Sequence, residues 1–312
     1  MKPFDELLDD AIQRALRLVR EPQPIVRLAL VRILAPLAVL LFVATRVVHP
    51  DDWLSSDGFR IPPLDNDYHQ VVYFEPLSPL VARIVCVAIV VSGLALAAGA
   101  LTRWSALVFA ILLGYVALND RAEAFTVSKL GPVLALALAL TPAGARWSVD
   151  AWLRRRRDPG HVPPTHVTGG CVRFFQAFLM VFYFSSGIAK ARGDWLSDPY
   201  VLWSHLHDSY QTPVSWFFAN HLPAFAWTVM QALTIAFELG APLWFALRWA
   251  RPFALAWGVA MHAMIGMMFG PLAGFSLLMM GLLVASFAPA TLLDPTLARA
   301  TAVATARPKR RT

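Results

Sequence analysis

A lysine that closes an apolar helix is the first residue of this chain whose setting invites chemistry. The stretch Phe174–Leu196, FFQAFLMVFYFSSGIAKARGDWL, reads as hydrocarbon up to Lys190, and an Arg-Gly-Asp-Trp turn follows, ending in Trp195. A lysine costs about 2.5–3.5 kcal/mol at the centre of a membrane helix, so this one must face a polar cavity or reach the interface. An amine drawn out of water gives up its proton more readily and can serve as a base. Ser185 and Ser186 lie about one turn below it. The chemical reading is a general base, or a ligand for an anionic headgroup. On position alone, a lysine snorkelling to the interface explains it as well.

Three further polar residues interrupt apolar stretches. His262 falls about 15 Å into its helix, near the membrane middle, where it serves either as a proton-relay partner or as a packing histidine bonded to a neighbouring helix. Glu238 needs a partner if ionised in hydrocarbon. Arg32, about 10 Å into the first membrane helix, lies at similar depth, so an Arg32–Glu238 pair is expected as a structural clamp, with Arg27 nearer the surface. His205 and His207, with Asp208, are a weak metal signal. Two histidines two apart share a face on a strand but not on a helix, and no metal is expected.

The elements that must position these residues are membrane helices. Of the 312 residues 57% are hydrophobic and 15% charged, against about 25% charged in soluble domains, and the mean hydropathy is +0.55. The apolar blocks predict an all-α, polytopic bundle of eight helices: Ile25–Val48, Leu77–Leu101, Trp104–Leu118, Phe125–Leu140, Cys171–Lys190, Ala224–Leu247, Phe253–Met268 and Ala273–Ala288. The fourth, which carries Lys129, is short for a span. Residues 1–24 read as an amphipathic surface helix, with Leu7, Leu8, Ile12, Leu16 and Val19 at helical spacing between Arg14, Arg17 and Arg20. They lack the apolar core of a cleavable signal peptide. Residues 25–290 form the membrane domain and 291–312 a basic tail. A surface helix is expected near Tyr200–Tyr210.

The net charge of +7 does not point to nucleic acid, because the basic residues concentrate in particular loops, above all Arg154–Arg157. By the positive-inside rule those loops and both termini are cytoplasmic, and residues 49–76 and 191–223 face outside. Cys86 and Cys171 fall at opposite faces, too far apart for a disulfide, and no CxxC motif suggests dithiol chemistry.

Several segments together resemble a known family. They are Arg146-Trp147-Ser148-Val149-Asp150 with the arginines after it, His161-Val162-Pro163, and Phe175-Gln176 through Tyr183-Phe184 and Gly187-Ile188-Ala189-Lys190 to Asp194-Trp195. With Arg27–Ile33, Glu238 and Met261-His262 to Phe269, they resemble the membrane domain of the vitamin K-dependent gamma-carboxylase, the HTTM (horizontally transferred transmembrane) domain. The resemblance implies that Lys190 is the base that deprotonates reduced vitamin K. The hydroquinone then reacts with oxygen, the strong base so formed takes a proton from a substrate glutamate, and carbon dioxide adds. Two departures accompany it. The family's Asn-His pair near the fourth helix is replaced by Phe125-Thr126-Val127-Ser128-Lys129, and the eighth helix leads straight into the basic tail rather than a large substrate-gripping region.

The expectation is therefore an outward-facing pocket in the cell membrane. Lys190 and His262 are its catalytic candidates, and Ser186 and Trp195 line the site for a reduced vitamin K or another quinol. A peptide or protein substrate is the expected partner. The competing reading is a non-enzymatic membrane protein that assists the maturation, export or immunity of a partner protein, and a transporter is a weaker third.

Overall fold

Helices form because most of the apolar blocks are long and are bounded by proline, glycine or polar residues, and because backbone groups in lipid must be satisfied within the segment. The computed structural model describes residues 4–58, 74–119, 126–207 and 210–295. Helix α1 (Phe4–Arg20) precedes a two-residue strand, β1 (Gln23–Pro24), and α2 (Val26–Val48). A short α3 (Pro50–Trp53) leads to α4 (Pro79–Ala98), α5 (Thr102–Asn119) and α6 (Thr126–Ala139). Then come α7 (Val149–Arg157), β2 (His166–Val167) and α8 (Gly169–Arg192). The described residues end with α9 (Val201–Ser204), α10 (Pro213–His221), α11 (Ala224–Ala246), α12 (Arg251–Met268), α13 (Ala273–Phe287) and α14 (Ala290–Leu293).

This is an all-α polytopic membrane bundle, and the eight expected helices stand at the expected places as α2, α4, α5, α6, α8, α11, α12 and α13. Helices α2, α4, α5, α8, α11 and α13 with its preceding 3₁₀ turn are long and apolar enough to cross a membrane. Helix α6 has 14 residues, and Lys129 projects from its exposed side. The surface helix expected near Tyr200–Tyr210 is shorter, only α9, and a second one, α10, follows it.

Helix α1 carries Asp5 and Glu6 in its first turn and Arg17 and Arg20 in its last, which complements the helix dipole. Its Leu8, Ile12, Leu16 and Val19 are exposed rather than packed on the bundle, as on a helix lying at a membrane surface. Arg173 of α8 fastens it, donating to the Leu18 carbonyl at 2.6 Å and pairing with Glu21. The strands β1 and β2 pair antiparallel, with Gln23 opposite Val167, and bring α1, α2, α7 and α8 to one end.

The expected Arg32–Glu238 pair does not form. The Arg32 side chain, fully buried, donates from Nη1 to the carbonyls of Leu96 (3.0 Å) and Ala97 (2.5 Å) and from Nη2 to that of Trp147 (2.5 Å). The last carbonyls of a helix lack partners within it and carry its negative pole, so the end of α4 neutralises this arginine. Arg27 does the same for α13, reaching the carbonyls of Ala285 (3.0 Å) and Ala288 (2.8 Å). Gly99 ends α4 at φ +70°, and a Cβ there would collide with Ser148 and sit 2.5 Å from Arg32 Nη1.

Asp150 locks α7 to the bundle. Its carboxylate accepts from the backbone N–H groups of Leu101 and Thr102, both at 2.8 Å, and from the Thr102 hydroxyl at 2.7 Å. Burial pushes this carboxyl up, but these hydrogen bonds, together with Arg154, outweigh it and hold the group below the usual carboxylate value. A carboxyl lowered on folding contributes stability above its unfolded value, and that stability disappears as pH falls through the folded one. The midpoint of thermal unfolding in detergent should therefore drop as pH falls below about 4. Asp150→Asn should be about 1–2 kcal/mol less stable near neutral pH and show a shallower acid drop. An acid drop as steep in the variant as in the wild type would contradict this.

Candidate functional site

Helices α8 and α11 meet closely enough to join side chains across them. A Cβ on Gly187 would lie 2.8 Å from the Leu239 backbone nitrogen, so only glycine permits this approach. Lys190, one turn further on, then reaches Glu238 of α11. Its Nζ lies 2.8 Å from Oε1 and 2.7 Å from Oε2, and it also donates to the Ser186 hydroxyl at 2.6 Å. The Lys190 side chain is 22% exposed and that of Glu238 9%. The partner of Glu238 is therefore Lys190 rather than Arg32.

Residues 183, 186, 187 and 190 recur at helical spacing on one side of α8. Tyr183, buried, shares a 2.8 Å hydrogen bond between its hydroxyl and His262 Nε2 on α12. His262 is 2% exposed, and its Nδ1 is buried with no hydrogen-bond partner among the described residues. Phe237 packs edge-on against Tyr183, and Phe275 edge-on against His262, which fixes both rings.

Trp195 is positioned from beneath. Gln231 of α11, buried, donates from Nε2 to the carbonyls of Trp195 and Asp198, both at 2.9 Å, and accepts from the Leu202 N–H at 3.0 Å. This holds the segment after α8 over the site and sets the Trp195 ring 5.2 Å from Lys190 Nζ, within cation–π range. The capping box of α10, between Thr212 and Ser215, and the Thr212 hydroxyl on the Met267 carbonyl at 2.7 Å tie α10 to the end of α12.

All four expected site residues, Lys190, His262, Ser186 and Trp195, line one cavity of about 520 Å³ between α8, α11 and α12. That lies within the ~300–1,000 Å³ of small-molecule sites. Glu238 and Tyr183, not among those expected there, line it too, as does Thr126 at the start of α6. Trp257, Met261, Met264 and Phe275 supply apolar wall. The histidines considered for a metal do not assemble: His205 bonds the Val201 carbonyl at 2.6 Å, and His207 packs edge-on against Trp203. Asp208 lies outside the described residues, among which no group of three or more His, Cys, Asp and Glu could hold a metal ion.

The arrangement offers a carboxylate, an ammonium, a hydroxyl and an unpartnered imidazole nitrogen inside a greasy, aromatic-walled space. Such a site can orient an oxygen-bearing ring and move a proton at its edge. A model of the HTTM domain matches residues 20–290. The chain belongs to the HTTM family. Neither a curated protein nor a solved structure matches it, so the roles of the cavity residues in this HTTM protein rest on their geometry.

Proposed function

We propose that this HTTM protein binds a lipid-soluble quinol in the α8–α11–α12 cavity and handles a proton at the quinol's hydroxyl edge. The observation that supports this reading is the convergence of Lys190, Glu238, Ser186 and His262 on a single aromatic-walled cavity. A quinol fits the lining. Flat apolar rings stack well against Trp195, Trp257 and Phe275, methionines adapt to their outline, and the orphaned Nδ1 of His262 offers a partner for an oxygen. When bound, a quinol such as reduced vitamin K supplies the reducing equivalents and the ionisable hydroxyl. Lys190 holds the proton-handling position at Nζ. Glu238 steadies its ammonium form and takes up a proton when Nζ is to act as base. Ser186 keeps Nζ aimed, and Tyr183 fixes the His262 ring. Apolar walls lower the local dielectric, which strengthens each of these interactions.

The basic ends of α1 and α7 support a cytoplasmic placement of both termini, with the Lys190 end outward in the cell membrane. A second reading, a non-enzymatic protein that assists a partner protein, is favoured by two observations. Lys190 is already neutralised by Glu238, and Thr126 lines the cavity from the stretch where a histidine would serve catalysis.

Purified protein in nanodiscs, offered reduced vitamin K, tests the choice. Saturable binding and oxygen uptake, with uptake lost in Lys190→Ala, is the expected result. Neither binding nor uptake in the wild type would overturn it and leave the second reading.

A further inference from the structure

A second built pocket, of about 440 Å³, lies at the other end of the bundle against α7. Helix α7 starts cleanly, its Ser148 hydroxyl accepting from the Ala151 N–H at 2.9 Å, and Asp150 anchors it. Ser148, Ala151, Trp152 and Arg155 line the pocket and recur at the spacing of one helix face. Arg146 and Trp147 with the 162–165 segment line it further.

Three features separate this pocket from a solvated basic loop. The arginines in and beside it are not equivalent. Arg146 pairs with Asp294, Arg154 donates to the Gly144 carbonyl at 2.5 Å and Arg156 lies 4.0 Å over the Trp152 ring. The Arg155 side chain, in the pocket wall, has no hydrogen bond or ion pair among the described residues. Trp147 is held at φ +52°, a left-handed conformation that is unfavourable for a residue with a Cβ. Buried Arg32 grips its carbonyl, so the ring's place at the pocket is enforced. The rim is also apolar and uncovered: Val162 is 81% exposed, Trp152 49% and Trp147 44%.

A free cation beside two tryptophans, under an apolar rim, matches a phosphate group that arrives attached to acyl chains. The uncovered apolar stripe of α1 lies at the same end of the bundle, as expected where the protein meets a lipid interface. We propose that this α7 pocket is a headgroup site for an anionic phospholipid, with Arg155 binding the phosphate and Trp147 and Trp152 seating the glycerol and upper acyl region.

The test uses the full chain purified in detergent and titrated with phosphatidylglycerol, phosphatidylcholine or inorganic phosphate, read by thermal unfolding and native mass spectrometry. Phosphatidylglycerol should bind saturably and raise the unfolding midpoint. Arg155→Gln should weaken its apparent affinity about fivefold, one guanidinium's contribution near a charged lipid, while Arg157→Gln leaves it unchanged. Because both arginines are exposed, both variants fold. Equal response to phosphatidylcholine, or equal losses in Arg155→Gln and Arg157→Gln, would overturn the site. An inorganic phosphate response equal to that of phosphatidylglycerol would overturn the lipid as its occupant.

Discussion

Glu238→Leu lowers the stability of the detergent-solubilised chain by about 3 kcal/mol, the lower end of the cost of breaking a buried ion pair. The carboxylate is 9% exposed and takes both of its short bonds from Lys190. Without it the ammonium keeps only the Ser186 hydroxyl and the Trp195 ring, which do not neutralise it. The lower end applies because the Lys190 side chain is 22% exposed and can swing its head toward water. Lys190→Met costs a similar amount by stranding the carboxylate. The double variant Lys190→Met/Glu238→Leu recovers most of the loss, since replacing both members of a buried pair by apolar groups is near neutral. Unfolding by denaturant measures all three, and strictly additive losses would dismiss the pairing. The double variant also separates stability from ligand chemistry: it remains folded but has no proton-handling pair, so oxygen uptake that survives in it would remove Lys190 from the reaction.

The fold was readable because each membrane helix is a predominantly apolar block with few charges, and hydrocarbon leaves the backbone few alternatives. The extramembrane pieces were less so. Helix α10 carries a start signal in Thr212-Pro213-Val214-Ser215, a capping threonine followed by proline at N1, but it is short and sits among interfacial aromatics that mask its pattern. Within the site, Lys190, Ser186, Trp195 and His262 stood out as polar or amphipathic residues beside hydrocarbon. Tyr183 did not, since one tyrosine within FFQAFLMVFYF looks like more wall. The spacing 183, 186, 187, 190 was the signal that could have found it. Gln231 had no local signal, because its partners are backbone carbonyls of a distant loop. The same blindness misplaced Arg32. Matching charges by depth considers only side chains, and the carbonyl ends of neighbouring helices carry negative charge that no residue letter records.

Arg32 is where that difference has the largest measurable consequence. Arg32→Gln costs about 4 kcal/mol, because two buried carbonyls and one part-buried carbonyl lose a charged donor and each such bond is worth ~1.5–3 kcal/mol before the losses overlap. Arg32→Lys recovers little: a single ammonium cannot serve the Leu96, Ala97 and Trp147 carbonyls in the plane of the guanidinium fork. The decisive quantity is the coupling between Arg32→Gln and Glu238→Leu. Groups that share no partner add within about 0.3–0.5 kcal/mol, and these two share none, since Arg32 caps α4 while Glu238 holds Lys190. Additivity is therefore expected. A coupling above about 1 kcal/mol would mean that the two charges meet after all, and the cavity's lysine would then lack its counter-ion. If the losses add, Arg32 serves the scaffold and Glu238 serves the cavity, and their substitutions should part in ligand assays as well. Glu238→Leu would then change quinol binding at any protein concentration that remains folded, and Arg32→Gln would change only the amount of folded protein.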